Sequence, residues 1–214
     1  MKIVLAGAGS AGHIEPALAV ADAWRKEFPQ SEFEFVGTTS GLENILIAGA
    51  GYKLSTIPKV TLPRSLKPAG LLAPLKFGQA LFKSLQIVNG AECVIGFGGY
   101  ISAPIYLAAA MRRIPFVIHE ANAIPGWANK FGAFLGGEMA VGKSVKTGKF
   151  KAAEVVGLPL KPSISVALDM AKSDWAAARI TAKAKLGIKA GKPLLLIMGG
   201  SQGSSAINSI VASS

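Results

Sequence analysis

The chain has 214 residues, half of them hydrophobic, enough for a large core and for one generous domain or one domain with part of another. A single cysteine, Cys93, excludes an internal disulfide and a multi-cysteine metal site and suits a reducing compartment, and two histidines leave no room for a histidine-rich site. The net charge of +11 points to anionic partners: nucleic acid, an anionic membrane face or phosphorylated substrates.

In chain order, KIVLAG at 2–7 is an unbroken apolar run closed by glycine, as in a strand buried on both faces. The run leads into a glycine loop rather than a small-residue cleavage site, so it does not read as a secretory signal. A helix is predicted from Pro16 to Phe28, opening near His13, with Pro16 in its first turn. FEFVGT is a second strand, GLENILIAGAGY a short helix and KLSTIPKV a third strand. A helix over 69–88 follows, then ECVIGFGGY as strand and loop, a helix over 102–112 and the strand IPFVIHE. The uncharged run 93–111 is long enough to span a bilayer, but GFGGY, Ser102 and Pro104 interrupt it. The loop NAIPG, a helix from Trp127 and the strand EVVGLP close the series.

Strands alternating with helices predict an α/β fold with a parallel sheet and helices on both faces. Ligands then sit beyond the carboxyl ends of the strands, where GAGSAGH, GFGGY and HEANAIPG should converge. Near LPLKPS at 158–163 the pattern breaks. One helix is predicted over 170–186, and KPLLLIMGGSQGSSAINSIV then repeats strand, glycine loop and helix. The expected division is therefore 1–160, a complete Rossmann-like domain, and 161–214, a linker and the start of a second such domain that the chain does not complete.

Gly7, Gly9 and Gly12 form G-x-G-x-x-G, the spacing of a dinucleotide loop. A nicotinamide or flavin enzyme also needs an acid at the carboxyl end of the second strand, where this chain has Val36-Gly37-Thr38-Thr39; Glu32 and Glu34 lie at the other end. The alternatives are a bare tight turn or a helix start whose free N–H groups attract an anion, with His13 at its mouth. His119 ends its strand and either packs or joins the site. Cys93 reads as a small buried hydrophobe.

Several segments together resemble the MurG family of N-acetylglucosaminyltransferases: AGSAGHIEPALAVA, GFGGYISAP, IPFVIHEANAIPGWANK, VVGLPLK and MGGSQGS, in the family's order. The resemblance implies a GT-B fold, two Rossmann-like domains facing a cleft. It implies inverting transfer of GlcNAc from UDP-GlcNAc to the C4 hydroxyl of an undecaprenyl-diphospho-MurNAc-pentapeptide, with no metal or other cofactor required. It places Ser10, Ala11 and Gly12 beside the donor, with Asn122, Lys161, Ser201, Gln202 and Gly203. It makes His13 the candidate base and an acceptor contact, with Glu120 and Asn122 as further catalytic candidates. Gly98, Gly99 and Tyr100 fall near the acceptor diphosphate. This sequence has Ser10 and Ala11 where the family has Thr and Gly, and Lys161 where it has Arg, which removes a bidentate grip on phosphate.

The resemblance implies work at the cytoplasmic face of a bacterial membrane. No acid occurs between Glu43 and Glu92, a span holding Lys53, Lys59, Arg64, Lys67, Lys76 and Lys83. Leu71, Leu72, Leu75, Lys76, Phe77, Phe82 and Lys83 are the candidate membrane contacts, an apolar patch with basic neighbours. VGKSVKTGKFK at 141–151 is a second basic stretch. The rival readings are a non-catalytic acceptor-binding half, another lipid glycosyltransferase of GT-B plan and a nucleotide-cofactor oxidoreductase. A nucleic-acid binder lacks the aromatic-interleaved basic motif it would need.

Overall fold

The structure, a computed structural model, describes residues 1–59, 73–199 and 203–213. It divides into two compact units, Met1–Lys161 and Pro162–Ser214. The first unit is built on a seven-stranded sheet in the order β3-β2-β1-β4-β5-β6-β7, parallel throughout. The strands are β1 (Lys2–Ala6), β2 (Glu32–Gly37), β3 (Lys53–Thr56), β4 (Cys93–Gly96), β5 (Phe116–Glu120), β6 (Glu138–Val141) and β7 (Glu154–Val155). The helices are α1 (Ala11–Glu27), α2 (Glu43–Gly49), α3 (Ala73–Ile87), α4 (Ser102–Met111) and α5 (Trp127–Phe134).

Side chains alternate along each strand, so one apolar run feeds two cores. From β1, Ile3 and Leu5 join Ile14, Ala17 and Leu18 of α1, with Phe35 of β2 and Ile47 of α2. Val4 and Ala6 join Ile105, Tyr106 and Ala109 of α4, with Ile118 of β5 and Ala133 of α5. Chain order reverses direction between β1 and β4, which are hydrogen-bonded neighbours. The chain leaves β1 for one face of the sheet and β4 for the other. A crevice between their two loops is the necessary result.

The structure corrects several expectations. Helix α1 begins at Ala11, capped by the extended backbone of Ser10, so Pro16 is its sixth residue rather than a first-turn one. The missing proline N–H there removes a bond that would go to the Gly12 carbonyl. Strand β6 was not predicted; EMAV is short and has no alternation of its own, and pairing with β5 defines it. In the second unit the single helix expected over 170–186 is two, α6 (Pro162–Ser173) and α7 (Trp175–Lys185). Asp174 breaks them: its backbone is extended and its carboxylate accepts the Ala177 N–H at 2.9 Å, a new N-cap. The strand expected from KPLLLIM does not form; Leu195 is 83% exposed and no described strand runs beside it to complete a ladder. Helix α8 (Ser205–Ala212) follows, capped by the Ser204 hydroxyl.

Glu34, in the middle of β2, is an acid inside a sheet. It accepts the Ser55 hydroxyl at 2.6 Å and pairs with Lys2 at 2.9 Å and Lys53 at 3.0 Å. Burial alone would push its carboxyl up, but these three donors together outweigh that and hold it below the ordinary value of 4.5. A depressed native value means that its contribution is present above the ordinary carboxylate range and is lost as pH falls through the depressed one. Glu34→Gln should therefore lower the unfolding free energy by about 1–2 kcal/mol at pH 7. In urea titrations from pH 7 down to 3, the gap between wild type and variant should shrink; a gap that stays constant contradicts the assignment.

Candidate functional site

The loops after β1 and β4 meet around His13. Its Nδ1 lies 3.2 Å from the Ala8 carbonyl oxygen and 3.1 Å from the Ser10 hydroxyl. A carbonyl only accepts, so in the neutral imidazole the bond to Ala8 puts the proton on Nδ1 and the lone pair on Nε2. That Nε2 lies 3.3 Å from where a Cβ would stand at Gly98. Gly98 and Gly99 both have positive φ, 93° and 82°. A Cβ on Gly99 would stand 2.6 Å from the Ala8 oxygen, so the two loops pack backbone to backbone only with glycine there. The Tyr100 ring lies against Gly9 of the first loop, and the Lys59 ammonium is 5.6 Å from its centroid. Ser102 ties the arrangement to the sheet, its hydroxyl donating to the Gly98 carbonyl at 2.8 Å and the Ala6 carbonyl at 3.3 Å.

The third loop, after β5, is organised by Glu120. Its carboxylate is buried and accepts four N–H groups: Asn122 backbone (2.8 Å) and side chain (2.9 Å) on Oε1, Gly126 backbone (2.9 Å) and Asn129 side chain (3.0 Å) on Oε2. A carboxylate has about four acceptor sites. Glu120 is therefore filled by its own loop and by Asn129 of α5, an arrangement that positions the loop. Asn122 is exposed, held by that bond, and its side-chain oxygen has no partner among the described residues.

Asn129 is the residue that motif reading passed over. It is 2% exposed, donates to the His119 carbonyl and Glu120, and accepts the Tyr106 hydroxyl at 2.9 Å. Burial, with the Glu120 charge in support, pushes the Tyr106 phenol above its ordinary value, so it stays a donor. An asparagine in the first turn of the helix that follows HEANAIPG was the signal available. His119 packs: it is 5% exposed, its Nε2 lies 3.0 Å from the Gly157 carbonyl, and its ring lies against Phe97. Cys93 is half-buried at the start of β4.

Lys161 forms an ion pair with Glu15 of α1 at 2.7 Å, at the helix that opens with the glycine loop. Ala11 is half-buried and Gly12 exposed in its first turn. Gly203 is described within the second unit; Ser201 and Gln202 lie outside the described residues, as do Leu71 and Leu72. On α3, Leu75 and Phe82 are exposed one above the other, two turns apart, with Lys76 and Lys83 beside them. Phe77 is corrected: the helical period turns it inward against the core with Leu81 and Leu85. No helix among the described residues is long and apolar enough to cross a membrane, and none of their His, Cys, Asp and Glu side chains cluster as three or more around a metal position.

A parallel sheet with the order 3-2-1-4-5-6-7, glycine loops at its switch point and a histidine between them define a Rossmann-like domain with its ligand crevice at that point. The glycosyltransferase family 28 N-terminal domain matches residues 3–140, and the chain belongs to that family. A relative from Corynebacterium jeikeium, "UDP-N-acetylglucosamine--N-acetylmuramyl-(pentapeptide) pyrophosphoryl-undecaprenol N-acetylglucosamine transferase", is 43% identical over 213 residues, 99% of this chain and 55% of that protein. The enzyme of the same description from Streptomyces avermitilis is 44% identical over 99% of this chain and 56% of its own length. The chain thus spans about half the length of the curated relatives it matches. Among solved structures, Acinetobacter baumannii MurG superposes with a TM-score of 0.61 at 26% identity, covering 73% of this chain and 44% of that one. Neisseria meningitidis UDP-GlcNAc 2-epimerase shares the fold at a TM-score of 0.52 and 13% identity, over 87% of this chain and 54% of that one.

Asn129→Ala should cost about 2 kcal/mol in urea unfolding, because it leaves the Tyr106 hydroxyl buried without its acceptor. Gly99→Ala should cost a further about 1–3 kcal/mol through strain at positive φ and collision with Ala8. A Gly99→Ala chain as stable as wild type would contradict the packing of the two loops.

Proposed function

We propose that this chain carries the acceptor-binding part of an inverting N-acetylglucosaminyltransferase. The reaction moves GlcNAc from UDP-GlcNAc to the C4 hydroxyl of a MurNAc-pentapeptide on undecaprenyl diphosphate, making the lipid-linked disaccharide of peptidoglycan. The observation that carries this is the position of His13 Nε2, set between two glycine loops at the switch point. The relatives' printed activity supports it.

In this reading the acceptor's C4 oxygen attacks C1 of GlcNAc as its proton passes to His13 Nε2. The C1–O bond to UDP breaks and its electron pair leaves with the diphosphate. The Ala8 carbonyl holds the imidazole in the tautomer that can do this. Gly98, Gly99 and Tyr100 face the acceptor diphosphate. Ser10, Ala11, Gly12 and Asn122, held by Glu120, face the transferred sugar, and donor-binding roles go to Lys161, Ser201, Gln202 and Gly203. No metal or other cofactor is required, since backbone N–H groups at helix starts can carry the charge on the leaving group. Residues 1–160 serve as the acceptor and membrane domain, and 161–214 belong to the UDP-sugar side.

The lipid-linked acceptor requires a membrane surface. Leu75 and Phe82, exposed on α3 beside Lys76 and Lys83, fit peripheral contact with an anionic cytoplasmic leaflet. A second reading is an acceptor-binding half that does not itself catalyse.

Labelled GlcNAc transfer to the lipid-linked acceptor tests the proposal. His13→Ala should lower the rate by about 100-fold or more while acceptor binding persists. Acceptor binding without transfer in the wild-type chain selects the second reading, and loss of both overturns the proposal. Leu75→Ser with Phe82→Ser should weaken binding to anionic vesicles, and rising salt should release the wild-type chain; binding indifferent to both contradicts the membrane contact.

A further inference from the structure

Glu43 is fully buried at the start of α2, and the functional reading makes no use of it. Its Oε1 accepts the Thr38 backbone N–H at 2.9 Å and the Thr38 hydroxyl at 2.8 Å. Its Oε2 accepts the Gly9 N–H of the first glycine loop at 3.4 Å. A methyl group on Gly37 or Gly41 would collide with the Glu43 side chain, so these glycines leave the carboxylate its place. Burial by itself would push its carboxyl up, but the backbone N–H groups of Glu43, Thr38 and Gly9 and the Thr38 hydroxyl hold it below its ordinary value. It is a carboxylate at neutral pH.

Thr38 directly follows β2, so Glu43 brings an acid to the carboxyl end of the second strand after all. In a dinucleotide-binding fold an acid at that end faces ribose hydroxyls. Here it is turned inward, and both oxygens are bonded to the protein. It is unavailable to a ribose, and it sits where the glycine loop would otherwise present the Gly9 N–H to a phosphate.

We propose that Glu43 is a specificity-determining residue that closes the Gly9 amide to phosphate. The first loop then offers a ligand the N–H groups at the start of α1 next to a fixed negative charge, with the Gly9 amide taken. A phosphate there gains fewer hydrogen bonds and meets a like charge in a site of low dielectric. A neutral hydroxylated group meets neither penalty. The two glycine loops are thereby unequal: the one after β1 favours sugar, and the Gly98–Gly99 loop is left for the diphosphate. This rests on the reading that the two loops share one diphosphate-bearing substrate.

The test is a titration of the ¹⁵N-labelled full chain with inorganic diphosphate, following individual amide signals. In wild type the Gly9 amide should not shift saturably. Glu43→Gln, the same shape without the charge, should make it shift, with about tenfold tighter diphosphate binding. Glu43→Asp, one methylene shorter, keeps the charge but withdraws from Gly9 and should give a smaller gain, which serves if the Gln variant does not fold. A saturable Gly9 shift in wild type, or a silent Gly9 in a folded Gln variant, overturns the proposal. The Gly98 and Gly99 signals report separately: if they stay silent in every variant, it is the shared-substrate reading that fails.

Discussion

The pairing of β1 with β4 is the constraint on which the rest depends. Ala6 and Gly96 stand side by side in register, and the Phe97 N–H donates to the Ala6 carbonyl at 2.7 Å. That bond is the last rung before the chain parts to opposite faces of the sheet. It fixes the starting points of two glycine loops a single strand spacing apart, about 5 Å. The polar contacts between the two glycine loops follow from this proximity. His13 can reach back to Ala8 and across to Gly98 only because the loops begin as neighbours, and Ser102 bonds to both the strand end and the second loop.

Three buried glutamates show how one side chain serves different ends. Glu34 braces an edge of the sheet with two lysines and a serine. Glu43 holds the start of the first loop. Glu120 shapes the third loop with four N–H donors. In each case the carboxylate is scaffolding, and hydrogen bonds replace the water it lost. The side chains of these loops that keep an atom without a partner among the described residues are different ones: His13, at Nε2, and Asn122, at its oxygen.

The sheet was legible in the sequence because apolar runs ending in glycine, separated by helical periods, leave one architecture. Strands β1, β2, β4 and β5 and the loops at their ends follow directly from that pattern. What escaped depends on partners distant in the chain. EMAV becomes β6 only through its pairing with β5, whereas LLLIM, a stronger pattern, has no described neighbour and forms no strand. Asp174 splits a stretch whose alanines and lysines all favour helix, because one capping bond outweighs the summed propensity. In the site, His13, Gly98, Gly99 and Asn122 could be found from loop motifs. The burial of Glu43 and the link from Tyr106 through Asn129 to Glu120 could not, since no spacing records which way an acid turns.

The two margins of the sheet carry a consequence of their own. One ends in β7, two residues long, and the other in β3, four residues whose first, Lys53, has its ammonium beside Glu34. A seven-stranded parallel sheet with apolar strands is a natural template for another extended chain, and its unpaired rims are where such growth begins. Here each rim offers only a few backbone groups, and one carries a charge. Among the described residues the longer strands thus lie in the middle of the sheet, and both margins are short for another extended chain to pair with.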